Sequence, residues 1–163
     1  MQNSVTHRGS LAFLWLSAAV VVLDQLSKLA IERGLALYQS IAVLPVLEIT
    51  RLHNPGAAFS FLAGAAGWQR WLFTALALIV SAALALWLRR IERGTTVLAC
   101  AVALILGGAL GNVIDRLRLG HVIDFIYVHW GQHYFPAFNV ADSSICIGAA
   151  LLLLDTWFSP AKN

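Results

Sequence analysis

The sequence predicts an all-α membrane protein with four transmembrane helices, a small β-cradle at the outer surface and an interfacial helix. Its 163 residues are 60% hydrophobic and only 12% charged, which is about half the charge of an ordinary soluble domain. The apolar residues fall in blocks of roughly 20 residues, the length that crosses a bilayer core of about 30 Å. Such blocks favour helices, because in lipid only helices and closed barrels satisfy their own backbone.

Four blocks have this length, within one domain that covers residues 1–163. The predicted spans are about 11–31, 71–88, 95–114 and 140–158. The first block follows His7 and Arg8 and could be a signal peptide, but hydrophobicity resumes after Asp24 and no A-x-A cleavage motif follows closely. We therefore expect this block to remain as a helix. Cys100 and Cys146 lie inside apolar blocks, which is typical of packing residues.

Basic residues set the predicted orientation. Arg89, Arg90 and Arg93 crowd the short connection between the second and third spans. Each side carries five basic residues, but the loops on the opposite side are much longer, so the density of positive charge favours this connection as cytoplasmic. Both termini are then cytoplasmic, and segments 32–70 and 117–139 face the outside, which in a bacterium is the periplasm. The net charge of +3 is interpreted as loop charge and not as a nucleic-acid-binding surface.

The first outer segment contains a predicted strand. Val46 to Leu52 is rich in β-branched residues, with polar side chains at alternate positions. Asn54-Pro55-Gly56 then predicts a turn, and Ala57 to Leu62 is expected to return as a second strand or an interfacial segment. Together they predict a small sheet that lies on the membrane surface.

The second outer segment is predicted to be a short interfacial helix. Its apolar and aromatic residues recur at helical spacing, at Val122, Phe125, Ile126 and His129. A helix of this kind would lie along the membrane surface.

Two aspartates flank this segment and are the candidate catalytic groups. Asp124 stands in apolar surroundings, where an unpaired carboxylate must find a partner or hold a proton. Asp142 lies in the first turn of the fourth span, where it complements the helix dipole behind an N-cap at Asn139. Seventeen residues separate the aspartates and return the chain to the same surface. Two neighbouring carboxylates share a proton, which is what aspartic peptide hydrolysis requires.

The third span carries small and polar residues at helical spacing. Gly108, Asn112 and Arg116 line one face, where they could contact a bound peptide or a lipid headgroup. Alternatively, Arg116 is an interfacial residue that Asp115 neutralises.

Close helix packing is also predicted for this span. Gly107 and Gly111 form a G-x-x-x-G pair that allows another helix to approach closely.

On the first span, Asp24 and Lys28 are four residues apart and predict a structural ion pair.

Five stretches, taken in order among the four spans, resemble the lipoprotein signal peptidases, the signal peptidase II family. They are Asp24–Lys28, Asn54–Phe59, Gly107–Asn112 with Asp115–Arg116, Gly120–Phe125 and Phe138–Asp142. The resemblance covers nearly the whole chain. It implies an aspartic endopeptidase of the bacterial inner membrane that cuts just before a diacylglyceryl-modified cysteine and so removes the signal peptide of a prolipoprotein.

The resemblance also implies roles for individual residues. Asp124 and Asp142 match the catalytic pair, and no metal or cofactor is expected. The residues expected around the substrate are Asn54, Gly56, Asn112, Arg116 and Asn139, to which the face of the third span adds Gly108. The residues expected to be structural are Asp24, Lys28 and Asp115. The expected partners are lipid-modified prolipoproteins, membrane phospholipid and inhibitory peptide antibiotics such as globomycin, and the enzyme is expected to be a monomer.

Three other classes of function remain open on the sequence. A proton-coupled transporter would use Asp24, Asp124 and Asp142 as a relay. A metalloprotease would use His129 and His133, which have i, i+4 spacing, although no H-E-x-x-H motif occurs. A membrane scaffold without enzymatic activity would use none of these residues.

Overall fold

A computed structural model describes residues 10–56, 67–92 and 94–158 of the chain. This part of the chain contains four long helices and four strands, and the first helix follows a short 3-10 turn at Ser10–Phe13. The helices are α1 (Leu14–Gly34), α2 (Trp68–Arg90), α3 (Thr96–Arg118) and α4 (Val140–Phe158). The strands are β1 (Ser40–Leu44), β2 (Leu47–Asn54), β3 (Val122–Trp130) and β4 (His133–Tyr134).

The prediction of four membrane-spanning helices is confirmed. Each of the four helices is long and apolar enough to cross a membrane. The third helix continues beyond the predicted end at residue 114 as far as Arg118. Asp115 and Arg116 therefore lie on the helix itself, one turn beyond Asn112, and not in a loop.

The third helix is the most buried of the four and packs against the other three. Small residues make this possible. A Cβ added at Gly107 would lie 2.8 Å from the Ser17 carbonyl oxygen of α1, and one added at Gly148 of α4 would lie 2.7 Å from the Ala101 carbonyl oxygen. Close van der Waals packing replaces the hydrophobic effect as the main force between helices in lipid. The packing role predicted for the glycines of the third span is therefore present.

A four-stranded antiparallel sheet, in the order β1-β2-β3-β4, packs against α1 and α3 near their C-terminal ends. The strand predicted at Val46 to Leu52 is present as β2, although its hairpin partner β1 precedes it in the chain and was not predicted. The segment Ala57 to Leu62, expected to be a second strand or an interfacial segment, lies outside the described residues.

The predicted interfacial helix is wrong, because Val122 to Trp130 forms strand β3. This strand pairs along its length with β2, and Ile126 forms an additional bridge to Phe138. Its first four residues are all buried. A continuous apolar run gives the same sequence pattern in a buried strand and in a helix, so its apparent helical spacing carried no information.

Packing of α3 against α4 gives a direct test of this fold. Replacing Gly148 by alanine places a methyl group against backbone atoms of Ala101 and Ile105. We expect the substitution to lower the free energy of unfolding by about 1–3 kcal/mol, because overpacking forces the helices apart. Gly34→Ala is the matched control, since nothing lies within 4 Å of the added Cβ. Thermal unfolding in detergent compares the two variants, and equal midpoints would contradict the packing.

Candidate active site

Asp124 lies on β3 with only 3% of its surface exposed. Its carboxylate accepts hydrogen bonds from two amide side chains, Asn54 Nδ2 at 3.0 Å and Asn139 Nδ2 at 2.8 Å. The strand register places Asp124 opposite Leu52 of β2, two residues before Asn54. The sheet therefore carries both the carboxylate and one of its donors, and the buried carboxylate has the partners that such a group needs.

Asp142 lies in the first turn of α4, where two donors converge on its carboxylate. Its Oδ1 accepts from Asn112 Nδ2 at 2.8 Å, and its Oδ2 accepts from the backbone N–H of Asn139 at 3.3 Å. The Asp142 N–H in turn donates to Asn139 Oδ1 at 2.9 Å. The N-cap contact expected at Asn139 is thus present, and it is reciprocal. The third favourable interaction is with the helix N-terminus, which stabilises a negative charge.

Asn139 is the residue that connects the two aspartates. Its side chain donates to Asp124, and its backbone N–H donates to Asp142. The structure therefore brings both predicted carboxylates into one hydrogen-bonded site at the C-terminal end of α3 and the N-terminal end of α4. The 17 residues between them form the rest of β3, then β4 and the return to the same surface, and not the helix that was expected.

The environment of Asp124 changes its acidity. Burial raises the pKa of Asp124 from the ordinary 3.8 to about 6. The Asn54 hydrogen bond opposes this increase, the charge of Asp142 adds to it, and the Asn139 hydrogen bond again opposes it. Asp124 is therefore a carboxyl group that holds a proton into the mildly acidic range.

A buried ion cluster lies beneath the two aspartates. Lys28 Nζ lies 2.8 Å from Asp24 Oδ2 on its own helix and 2.8 Å from Asp115 Oδ2 on α3. The predicted pair of Asp24 and Lys28 is present, but Asp115 pairs with Lys28 and does not form an ion pair with Arg116 among the described residues. The Arg116 guanidinium instead donates to the carbonyl oxygen of Asn112 at 3.3 Å.

The two carboxylates of this cluster also hold the backbone of the site. Asp24 Oδ1 accepts from the N–H of Ala141 at 3.0 Å, and Asp115 Oδ2 accepts from the N–H of Ile123 at 3.2 Å. Ala141 directly precedes Asp142, and Ile123 directly precedes Asp124. The cluster therefore holds both aspartate-bearing segments in position.

A cavity of about 320 Å³ between α2, α3 and α4 leads to the site. Asn112, Arg116 and Asp142 form its polar end. The rest of its wall is apolar, formed by Phe73, Leu76, Ala77, Val80, Ile105, Ala109 and Ile145. Such a cavity suits an apolar chain whose polar end reaches the carboxylate.

Two glycines were also expected to contact a ligand. Gly56 has φ +104°, and its N–H donates to Asn54 Oδ1 at 2.9 Å, so it fixes the side chain that binds Asp124. Gly108 is not among the residues of the cavity wall, and an added Cβ there would collide with the carbonyl oxygen of Ala141. Close approach of α4 is a sufficient reason for this glycine, and its contact with substrate stays a prediction.

Sequence reasoning did not identify the apolar wall of the cavity. Phe73 lies on the uncharged second span, where no sequence signal separates a cavity residue from one that faces lipid. The Arg116 guanidinium lies 5.8 Å from the centre of the Phe73 ring, close enough for a cation–π interaction.

The histidines that suggested a metal site lie elsewhere in the sheet. His129 is on β3 and His133 is on β4, where they pair with Tyr134 and Trp130 respectively. Within residues 10–56, 67–92 and 94–158, no three His, Cys, Asp or Glu side chains are placed to hold a metal ion.

Comparisons with known proteins all point to one family. The family model described as "Signal peptidase (SPase) II" matches residues 16–158. The chain is 58% identical to the lipoprotein signal peptidase of Pseudomonas putida KT2440, over 98% of this chain and 95% of that protein. It is 56% identical to the lipoprotein signal peptidase of Pseudomonas aeruginosa PAO1, over 95% of this chain and 93% of that protein.

Solved structures show the same similarity. One bacterial membrane enzyme superposes with a TM-score of 0.79 at 32% sequence identity, over 97% of this chain and 98% of that chain. A second bacterial membrane enzyme has a TM-score of 0.80 at 30% identity, over 95% of this chain and 99% of that chain.

The raised pKa of Asp124 predicts how stability depends on pH. Between about pH 4 and pH 6 the unfolded carboxyl is ionised while the folded one keeps its proton. Raising the pH through this window therefore destabilises the fold, by at most about 3 kcal/mol. Asp124→Asn should lose this part of the pH dependence, and Asp155→Asn on α4 should keep it. Unfolding midpoints measured at pH 4.5 and 7.5 test this, and equal pH dependence in all three proteins would contradict the burial argument.

Proposed function

This chain belongs to the signal peptidase II family, and we propose that it is an aspartic endopeptidase that removes signal peptides from lipid-modified bacterial prolipoproteins. Its relatives are named lipoprotein signal peptidases. The substrate is a precursor whose cysteine carries a diacylglyceryl group, and the bond cut is the one just before that cysteine. The observation that carries the aspartic type is the Asn139 bridge, which holds the carboxylates of Asp124 and Asp142 in one site.

The two carboxylates divide the work of hydrolysis between them. Asp142 receives hydrogen bonds from Asn112 and from the backbone of Asn139, and it lies at a helix N-terminus, so we assign it the role of the base. Asp124 is buried with a raised pKa and holds the proton that the pair shares. Because the groups are coupled, the apparent titration belongs to the pair.

These protonation states define the reaction steps. Asp142 takes a proton from water as the water oxygen attacks the scissile carbonyl carbon. Asp124 donates its proton to the carbonyl oxygen, which develops negative charge. When the tetrahedral intermediate collapses, the leaving amine takes the proton from Asp142, the C–N bond breaks, and Asp124 recovers its own proton. One water is consumed for one peptide bond, and neither carboxylate forms a covalent bond with the substrate.

The cavity suits a lipidated substrate. Its polar end holds Arg116 and Asp142, and its wall extends along apolar residues of three spanning helices. An acyl chain lies in the apolar part while the scissile bond stays at the polar end. Arg116 donates to a carbonyl oxygen of the substrate or to its lipid ester. Membrane phospholipid and apolar peptide inhibitors such as globomycin fit the same wall when substrate is absent.

The proposed membrane orientation places the site in the periplasm. Arg89 and Arg90 end α2 at the short connection to α3, and the sheet and both aspartates lie at the opposite end. Positive charge near short connections favours the cytoplasmic side. The chain is thus a multi-pass inner-membrane protein with both termini in the cytoplasm.

A proton-coupled transporter is less consistent with this arrangement. Its relay would have to extend across the membrane, yet the buried ions are gathered near the outer end. At the opposite end the core is apolar and contains Leu88, Ile91, Ala99 and Val102. Proton flux into proteoliposomes without peptide cleavage would favour the transporter.

Substitution of either aspartate tests the proposed reaction. Asp124→Asn and Asp142→Asn keep the shape of the side chain but cannot exchange a proton. Each should lower the rate of cleavage by at least about 10²–10⁴-fold, the contribution of a general acid or base. Asp155→Asn is the matched control, since it changes another aspartate of α4 and should cleave normally. Cleavage of a diacylglyceryl-modified precursor in proteoliposomes is the measurement, and near-normal cleavage by either active-site variant would falsify the proposal.

The proposed orientation is tested by labelling single cysteines. In a chain with Cys100 and Cys146 replaced by alanine, Gln132→Cys should react with a membrane-impermeant maleimide in intact spheroplasts. Arg90→Cys should react only after the membrane is permeabilised. Both positions are exposed on the protein surface. The reverse pattern of labelling would show that the site faces the cytoplasm.

A further inference from the structure

We propose that Lys28 is a positioning residue for the reaction, because its ammonium fixes the rotation of the Asn112 amide so that the amide nitrogen donates to Asp142. The inference rests on the proposed function. It gives Lys28 a task beyond the structural ion pair, and this task follows from the hydrogen bonds that the ammonium makes.

The Lys28 ammonium has no freedom in its buried site, where only 2% of the residue is exposed. Its three hydrogens match three acceptors, which are Asp24 Oδ2 at 2.8 Å, Asp115 Oδ2 at 2.8 Å and Asn112 Oδ1 at 3.0 Å. The first two acceptors are carboxylates that hold the ammonium in place. Since an ammonium is only a donor, the third direction requires an oxygen atom. This requirement determines which end of the Asn112 amide faces Lys28.

The orientation of Asn112 decides what Asp142 receives. Asn112 Oδ1 also accepts from Asn139 Nδ2 at 3.3 Å, so two donors surround this oxygen. The opposite end of the amide, Nδ2, then points at Asp142 Oδ1 at 2.8 Å. Rotating the amide by 180° would place NH₂ against the Lys28 ammonium and a carbonyl oxygen against the carboxylate. Both new contacts would be repulsive, so the rotated state is disfavoured at both ends.

Besides its contact with Asn112, Asn139 has anchors that do not involve Lys28. Its Oδ1 accepts from the N–H of Asp142, which leaves its Nδ2 to donate to Asp124. A backbone N–H fixes the orientation of this amide, whereas a lysine side chain fixes the orientation of the Asn112 amide. Substituting Lys28 should therefore disturb the donor to Asp142 and leave the donor to Asp124 in place.

The charged groups around Asp142 come from three elements. Arg116 on α3 interacts with Asp142 and with Asp124 on β3, and Lys28 on α1 interacts with Asp124. Asp115 on α3 pairs with Lys28, and Asp24 on α1 accepts from the N–H of Ala141, which precedes Asp142. The effect of the Lys28 charge through space must therefore be separated from its effect through Asn112. A double-mutant cycle makes this separation, because only the second effect disappears when Asn112 is absent.

The experiment compares Lys28→Met, Asn112→Ala and the double variant in proteoliposomes with a diacylglyceryl-modified precursor. Without an oriented donor, the ionised dyad binds a proton more readily. The acid limb of the plot of kcat/KM against pH therefore moves to higher pH. We expect a shift of about one pH unit in each single variant, the order of one hydrogen bond to a charged group. The double variant should shift no further than Asn112→Ala alone, and the KM of Lys28→Met should change by less than about threefold, because Lys28 does not line the cavity.

Ser17→Ala is the matched control for a purely structural effect. Ser17 is buried on the same helix and donates to the Ala103 carbonyl oxygen of α3 at 2.8 Å, far along the helix from the site. This control should lower the unfolding midpoint and leave the acid limb unchanged. If Lys28→Met behaved in the same way, Lys28 would be structural and the proposal would be overturned.

The remaining outcomes are also decisive. Additive shifts in the double variant would show that Lys28 acts through its charge and not through Asn112. If Lys28→Met does not accumulate in folded form, Asn112→Ala alone carries the test, and an unchanged acid limb in that variant overturns the proposal. If both aspartates prove essential but the double-mutant cycle is additive, this inference alone is rejected. If Asp124→Asn or Asp142→Asn remains active, the proposed function is rejected as well.

Discussion

The burial of one ammonium between two carboxylates is the constraint on which the site depends. Lys28, Asp24 and Asp115 are each at most 2% exposed, so these charges depend mainly on one another for partners. Separating a buried ion from its partner costs several kcal/mol of folding free energy. Arrangements of the cluster in which one charge lacks a partner are therefore strongly disfavoured. The same carboxylates accept the N–H groups of Ala141 and Ile123. The rigid cluster thus sets the positions of the two aspartates that follow in the chain.

Membrane depth explains why the site is built from helix ends and a sheet together. A spanning helix satisfies its own backbone, but a carboxylate in mid-helix would face hydrocarbon. Asp142 avoids this by lying in the first turn of α4, and Asp124 avoids it by lying on β3 at the same end of the helix bundle. Glycines of α3 let the helices approach closely beneath the site, while the cavity toward α2 stays open for an apolar chain.

The sequence was most informative where a residue's chemistry conflicts with its surroundings. Asp124 in an apolar segment required a partner, and the predicted pair of Asp24 and Lys28 followed from helical spacing alone. Strand β3 was misassigned, because a continuous apolar run looks alike in a buried strand and a helix. Phe73 could not be found, since an apolar residue on an uncharged span gives no sign of which neighbour it faces. The link from Lys28 to Asn112 depends on three elements meeting, which only the folded structure shows.

The central claim is that two carboxylates share one proton and need no other catalytic group. It is tested most directly by the pH dependence of kcat/KM for the unmodified enzyme acting on a diacylglyceryl-modified precursor in a bilayer. The account predicts a bell-shaped profile with two apparent pKa values that belong to the pair, the upper one at or somewhat above the value of about 6 for Asp124. A rate that continues to rise above pH 8, as for a thiolate or a metal-bound hydroxide nucleophile, would contradict it.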